Sequence, residues 1–134
     1  MKTCINSLIC FAILMTANVN IRAQSKRKQT ENRFAGTWLD KKTSRCLEIS
    51  FQDGYATIID WTSKVQKQES GDVYKAYLKN GKLIMPEDKE HHAPYSEIIA
   101  NKNTLIYLTK PMTIAKNPRW DKQVFTRSPN TPHN

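Results

Sequence analysis

Histidines, cysteines and carboxylates are the side chains with which a small domain does chemistry. This chain has three histidines, three cysteines and 12 Asp or Glu in 134 residues. Glu90–His91–His92 is the stretch that gathers a carboxylate and two imidazoles. That trio suits metal ligation or general acid–base work, but adjacent side chains on a strand point to opposite faces. There is neither an H-E-x-x-H nor a spaced cysteine pair to complete a ligand set. The stretch reads as a solvated loop, and no metal is expected. Cys46 as a nucleophile needs a neighbouring base that the sequence does not supply. Glu87 and Asp88 sit in the same charge-rich loop, and the tail holding His133 has two prolines and no apolar residue. The four glycines, at 36, 54, 71 and 81, are too scattered to cradle a phosphate, and no G-x-S-x-G is present. The expectation is a protein that is not an enzyme and carries no cofactor.

What positions these residues depends on which part of the chain folds. Lys2 precedes an apolar run, Leu8–Met15, and the segment ends Ile21–Arg22–Ala23. A basic start, a short apolar centre and a small residue at the cut describe a secretory signal peptide over residues 1–23. A membrane-spanning helix needs ~20 apolar residues, so no span is expected. Export to the periplasm or the medium follows, with cleavage near Ala23. Loss of Lys2 and Arg22 lowers the net charge from +9 to +7 and leaves 111 residues. Residues 24–33 (Lys26, Arg27, Lys28 and Arg33 against Glu31) read as a basic flexible leader. The basic balance therefore argues weakly for nucleic acid, and no specific nucleic-acid partner is expected. Cys4 and Cys10 leave with the signal, so Cys46 remains alone and the domain relies on its core. The domain spans 34–127, and 128–134 is expected to be a disordered tail.

Within the domain, alternating apolar residues, β-branched and aromatic enrichment and Gly or Asn turns point to short strands. The expected strands are Phe34–Leu39, Cys46–Gln52, Tyr55–Trp61, Val73–Lys79, Lys82–Pro86, Tyr95–Asn101, Thr104–Thr109 and Lys122–Arg127. Asp53–Gly54 and Asn80–Gly81 are two-residue hairpin signals. The fold class is all-β: an antiparallel eight-stranded meander, which closes into a small barrel to remove its edges. A two-residue turn at Asp53–Gly54 sets Phe51 opposite Ala56, Ile49 opposite Ile58 and Leu47 opposite Asp60. Paired residues share a face, so these apolar side chains line the interior. Tyr55, Ile59 and Trp61 then form an outer stripe, read either as a strip for a protein partner or as a face covered by the chain's own loops.

Phe34–Ala–Gly36–Thr–Trp38 near the start of the domain is a G-x-W in a first strand, and Phe125–Thr–Arg127 ends the last strand. On these residues the chain resembles lipocalins and related calycins. It also resembles short exported proteins of Gram-negative bacteria without assigned function, some carried on conjugative elements. The resemblance implies a structural trio, Gly36, Trp38 and Arg127, with the Arg127 guanidinium stacked on the Trp38 indole. It also implies non-catalytic binding of a small apolar ligand at the barrel mouth. The candidate ligand residues are Phe51, Ile58, Met85 and Tyr107 inside and Trp61 and Trp120 at the rim, with Tyr95 and Met112 beside them. Trp120 could equally plug the barrel end. The alternative is an envelope protein-interaction module with a filled barrel, working through Tyr55, Ile59 and Trp61 or through an exposed strand edge.

Overall fold

The computed structural model describes residues 5–112 and 116–129, so His133 and most of the expected tail lie outside the described residues. The chain divides into two units, residues 1–32 and residues 33–134. The first is a helix, α1, whose full extent is Ile5–Phe34. Residues 24–33, expected as a flexible leader, continue that helix. The segment has neither proline nor glycine, Arg27 and Glu31 pair one turn apart at 2.9 Å, and the Thr30 hydroxyl donates to the Lys26 carbonyl. Such pairs support a helix by ~0.2–0.5 kcal/mol each. Among the described residues no helix is long and apolar enough to cross a membrane.

The second unit is a closed antiparallel barrel of eight strands in sequence order. The strands are β1 (Gly36–Asp40), β2 (Arg45–Gln52), β3 (Tyr55–Thr62), β4 (Asp72–Lys79), β5 (Lys82–Met85), β6 (Ser96–Asn101), β7 (Thr104–Thr109) and β8 (Asp121–Arg127). Each expected strand is present within two residues of its reading. At Asp53–Gly54 the register pairs Phe51 with Ala56, Ile49 with Ile58 and Leu47 with Asp60, as the turn requires. At Asn80–Gly81 it pairs Leu78 with Leu83. All four turn residues have positive φ, between 51° and 87°, the conformation that matches hairpin twist.

This register makes the two barrel ends unlike. The short turns β2–β3, β4–β5 and β6–β7 gather at one end, with the chain's entry at Phe34 and exit at Arg127. The long connections 63–71 and 86–95, and the described parts of 110–120, gather at the other. The closed half is filled by Phe34, Trp38, Leu47, Ile49, Ile58, Leu83, Ile98, Leu105 and Phe125, all essentially inaccessible. Gly36, with φ 119°, turns the chain from α1 into β1. Trp38 Nε1 donates to the Phe34 carbonyl at 2.7 Å, and the Arg127 guanidinium lies over the indole. Arg127 Nη1 and Nη2 donate to the carbonyls of Ala35 and Arg33 at 2.7 and 3.1 Å. One side chain of the last strand thereby satisfies the carbonyls exposed where the helix stops.

Candidate functional site

Alternation along the strands decides what stands above this packed floor. Leu47 and Ile49 face inward, so Arg45, two residues earlier in β2, does too; Ile58 places Asp60 inward by the same count. Tyr74, Met85, Ser96, Tyr107 and Gln123 follow from the remaining strands. The result is a cup at the open end, about 630 Å³, walled by Tyr74, Met85, Ser96, Tyr107 and Thr109 with Arg45 at its base. The loop from Pro86 to Pro94 forms part of its rim.

Arg45 is the electrostatic centre of the cup. Its Nε donates to both Asp60 carboxylate oxygens at 3.0 and 3.1 Å, Nη2 donates to Asp60 Oδ2, and Nη1 donates to Gln123 Oε1. The guanidinium carbon lies 4.8 Å from the Tyr107 ring centre and 5.8 Å from that of Phe125. Burial opposes the charge on Arg45, but the Asp60 carboxylate more than restores it, so the group stays ionised. Burial pushes the Tyr107 phenol above its usual range despite the nearby guanidinium, and its hydroxyl points at Met85 Sδ, 3.8 Å away. Tyr74 is raised by burial and by Asp72 and Asp60. Both phenols are therefore neutral hydrogen-bonding groups at physiological pH.

The rim loop is held by one carboxylate. Asp88 accepts the N–H groups of Glu90 and His91 at 3.0 and 3.2 Å and meets His91 Nδ1 at 2.8 Å. Its backbone pairs with Ala93 in both directions. The His91 contact holds the Asp88 carboxyl below its ordinary range. His91 and His92 border the cup, but among the described residues no three His, Cys, Asp or Glu side chains are grouped so as to hold a metal.

Of the six expected ligand residues, the cup brings together two, Met85 and Tyr107. Phe51 is inward but adjoins the Asp53–Gly54 turn at the closed end. Ile58 is wholly buried in the packed core. Trp61 pairs in register with Cys46 on the outer face and is half-buried there. Trp120 does not plug the barrel; it is 37% exposed and meets Tyr95 edge to face at 5.9 Å. Met112 is also exposed. The outer stripe is partly covered by its own chain. Lys75 lies 4.6 Å over the Tyr55 ring, and Gly71 approaches Ile59 so closely that a Cβ there would be 3.1 Å from its Cγ2. Cys46 is a buried free thiol whose Sγ meets the Ser44 carbonyl at 3.8 Å.

Sequence reasoning missed Arg45, Asp60, Tyr74, Ser96 and Gln123 because it searched the interior for apolar residues. The signal was available: the register that set Leu47 opposite Asp60 already placed a carboxylate inside, and alternation placed Arg45 beside it. The fold and site together define a small closed β-barrel with a filled base and an open, partly polar cup. Comparison with protein families, curated proteins and solved structures finds no match to this chain.

Proposed function

We propose that this chain is a lipocalin-like binding protein, exported after loss of residues 1–23, that holds a small ligand in the open-end cup without transforming it. The observation that carries this reading is the cup itself, whose volume lies within the ~300–1,000 Å³ of small-molecule sites. Met85 and the rings of Tyr74 and Tyr107 supply apolar wall, while Arg45, Ser96 and Thr109 supply polar groups, with Asp60 and Gln123 holding Arg45 in place. Such a lining favours a ligand with an apolar body and at least one hydrogen-bonding group over a plain hydrocarbon. The filled lower half limits the ligand to the upper half of the barrel.

The test is titration with the amphiphilic dye 1-anilinonaphthalene-8-sulfonate, followed by fluorescence and by native mass spectrometry. One saturable site is expected, and Met85→Trp, which fills the cup, weakens it about tenfold, or ~1.4 kcal/mol, while leaving the melting temperature close to that of the parent. Dye binding untouched by Met85→Trp, or by a second filling variant Ser96→Phe, places the dye elsewhere and ends this reading. The interaction-module reading is favoured by one observation, the filled closed half, and it has its own candidate surface.

A further inference from the structure

The barrel seam between β1 and β8 is closed over only part of its length. Register pairs join Trp38 to Arg127 and Leu39 to Thr126, and β1 ends one residue later at Asp40. β8 runs on to Asp121, paired on its other side with β7 throughout. Backbone polar groups of an antiparallel strand alternate between its two neighbours. The Arg127 N–H donates toward β7, to the Asn103 carbonyl, and the Ser128 N–H donates toward β1, to the Thr37 carbonyl. By that alternation the N–H and C=O of Val124 and of Lys122 point to the β1 side, where no strand residue pairs with them among the described residues.

A groove of about 480 Å³ lies along this edge, between β8 and the β1–β2 turn. Lys41, Lys42 and Lys122 stand exposed around it, and Val124 presents an apolar side chain that is 46% exposed. Among the described residues the one acid in its lining, Asp40, is 6% exposed, with its carboxylate occupied by the Lys42 N–H at 2.9 Å and the Thr43 hydroxyl at 2.8 Å. Outward-facing charge at the groove is therefore positive. An unpaired edge supplies main-chain hydrogen bonds to an added strand, and flanking side chains select its sequence.

We propose that the Lys122–Val124 edge of β8 takes an extended, acidic peptide segment of a partner protein as an added strand. Acidic side chains of that segment lie on the outer face with Leu39, Val124 and Lys122 and meet Lys41, Lys42 and Lys122, while the intervening apolar side chains turn to the opposite face. This surface is separate from the cup and stands whether or not the cup holds a ligand.

The experiment is fluorescence anisotropy of a labelled ten-residue peptide of alternating glutamate and valine, titrated with the full-length chain at low salt. Saturable binding is expected, weakened about tenfold by Lys122→Glu, with the same loss when alternate peptide amides are N-methylated. Val124→Pro, which removes one edge N–H without touching the bonds to β7, gives a matching loss; Lys122→Glu decides the matter if that variant does not fold. No saturable binding up to about 1 mM overturns the proposal. Equal affinity for the N-methylated peptide also overturns it, since the contact is then charge alone. A self-association of the full chain abolished by Lys122→Glu assigns the edge to a second copy and overturns the acidic-partner assignment.

Discussion

The guanidinium carbon of Arg127 lies 4.2 Å from the centre of the Trp38 ring, with the two residues directly paired across the β1–β8 seam. The contact joins the first strand to the last at the end of the barrel that holds Phe34. It combines cation–π attraction with two hydrogen bonds to the carbonyls of Ala35 and Arg33. Trp38 itself is fully buried.

Trp38→Ala removes a buried indole and should cost ~3–5 kcal/mol. Arg127→Lys keeps the charge but loses the planar stack and the forked donation, and a loss of ~1–3 kcal/mol is expected. Urea unfolding of both variants checks this. An Arg127→Lys variant as stable as the parent would show that the carbonyls are satisfied by water and the stack adds nothing.

The Arg45–Asp60 pair should be strongly non-additive. Asp60→Ala leaves the guanidinium without its carboxylate. Because the Arg45 side chain is 25% exposed, the expected cost is ~1–3 kcal/mol, below the ~3–5 of a fully buried pair. Replacing both, Arg45→Met with Asp60→Leu, should restore most of that stability. Denaturant curves of the two singles and the double give the coupling, and additive losses contradict it.

Gly71 and Gly81 are needed for different reasons. At Gly71 φ is −71°, and a Cβ would meet the Asp60 carbonyl oxygen at 2.9 Å and the Gln68 carbonyl oxygen at 3.1 Å. At Gly81 there is open space, but φ is +74°. Gly71→Ala should cost ~1–3 kcal/mol through crowding, and Gly81→Ala ~1–2 kcal/mol through left-handed strain. Asparagine separates the causes. It is milder than alanine at 81, where it tolerates the conformation, and harsher at 71, where it is larger. Thermal melts that rank the four variants otherwise refute the assignment.

Acid should destabilise the barrel through Asp40 and Glu97. Burial pushes the Asp40 carboxyl up, but the Thr43 hydroxyl and the N–H groups of Lys42 and Thr43 outweigh it and leave it below its ordinary 3.8. The Lys82 ammonium, 2.9 Å away, and the Tyr95 hydroxyl hold Glu97 below its ordinary 4.5, against partial burial. Both groups take up protons more readily in the unfolded chain. Their contribution is therefore complete above those ordinary values and disappears as pH falls through the lower folded ones. The melting temperature should fall below pH 4.5, and Asp40→Asn with Glu97→Gln should flatten that slope. An unchanged slope in the double variant contradicts the assignment.

Local chemistry by itself determined the meander. Asp53–Gly54 and Asn80–Gly81 each fix a hairpin, because two consecutive positive φ values are accessible there. Once a turn is fixed, the period of two assigns every side chain of both strands to a face, so the interior positions of Leu47, Ile49, Ala56 and Ile58 were legible without coordinates. The Trp38–Arg127 contact was reached by resemblance, and the closed seam accounts for it. The helical state of residues 24–33 was not legible, since a short polar segment shows no apolar stripe and its helix rests on propensity and spaced charge pairs.

The tertiary structure alone decided which interior positions are packed and which are open. Phe51, Ile58, Met85 and Tyr107 look equivalent in sequence, each apolar and inward by alternation. Their height along the barrel separates them: closure and the entry of Phe34 fill the turn end, while the long connections leave the other end open. The same height gathers Arg45, Tyr74, Ser96 and Thr109 from strands far apart in the chain, with Asp60 and Gln123 bonded to Arg45. Sequence periodicity gives a face for each side chain, but only closure of the sheet gives it neighbours across the barrel, and those neighbours make the cup.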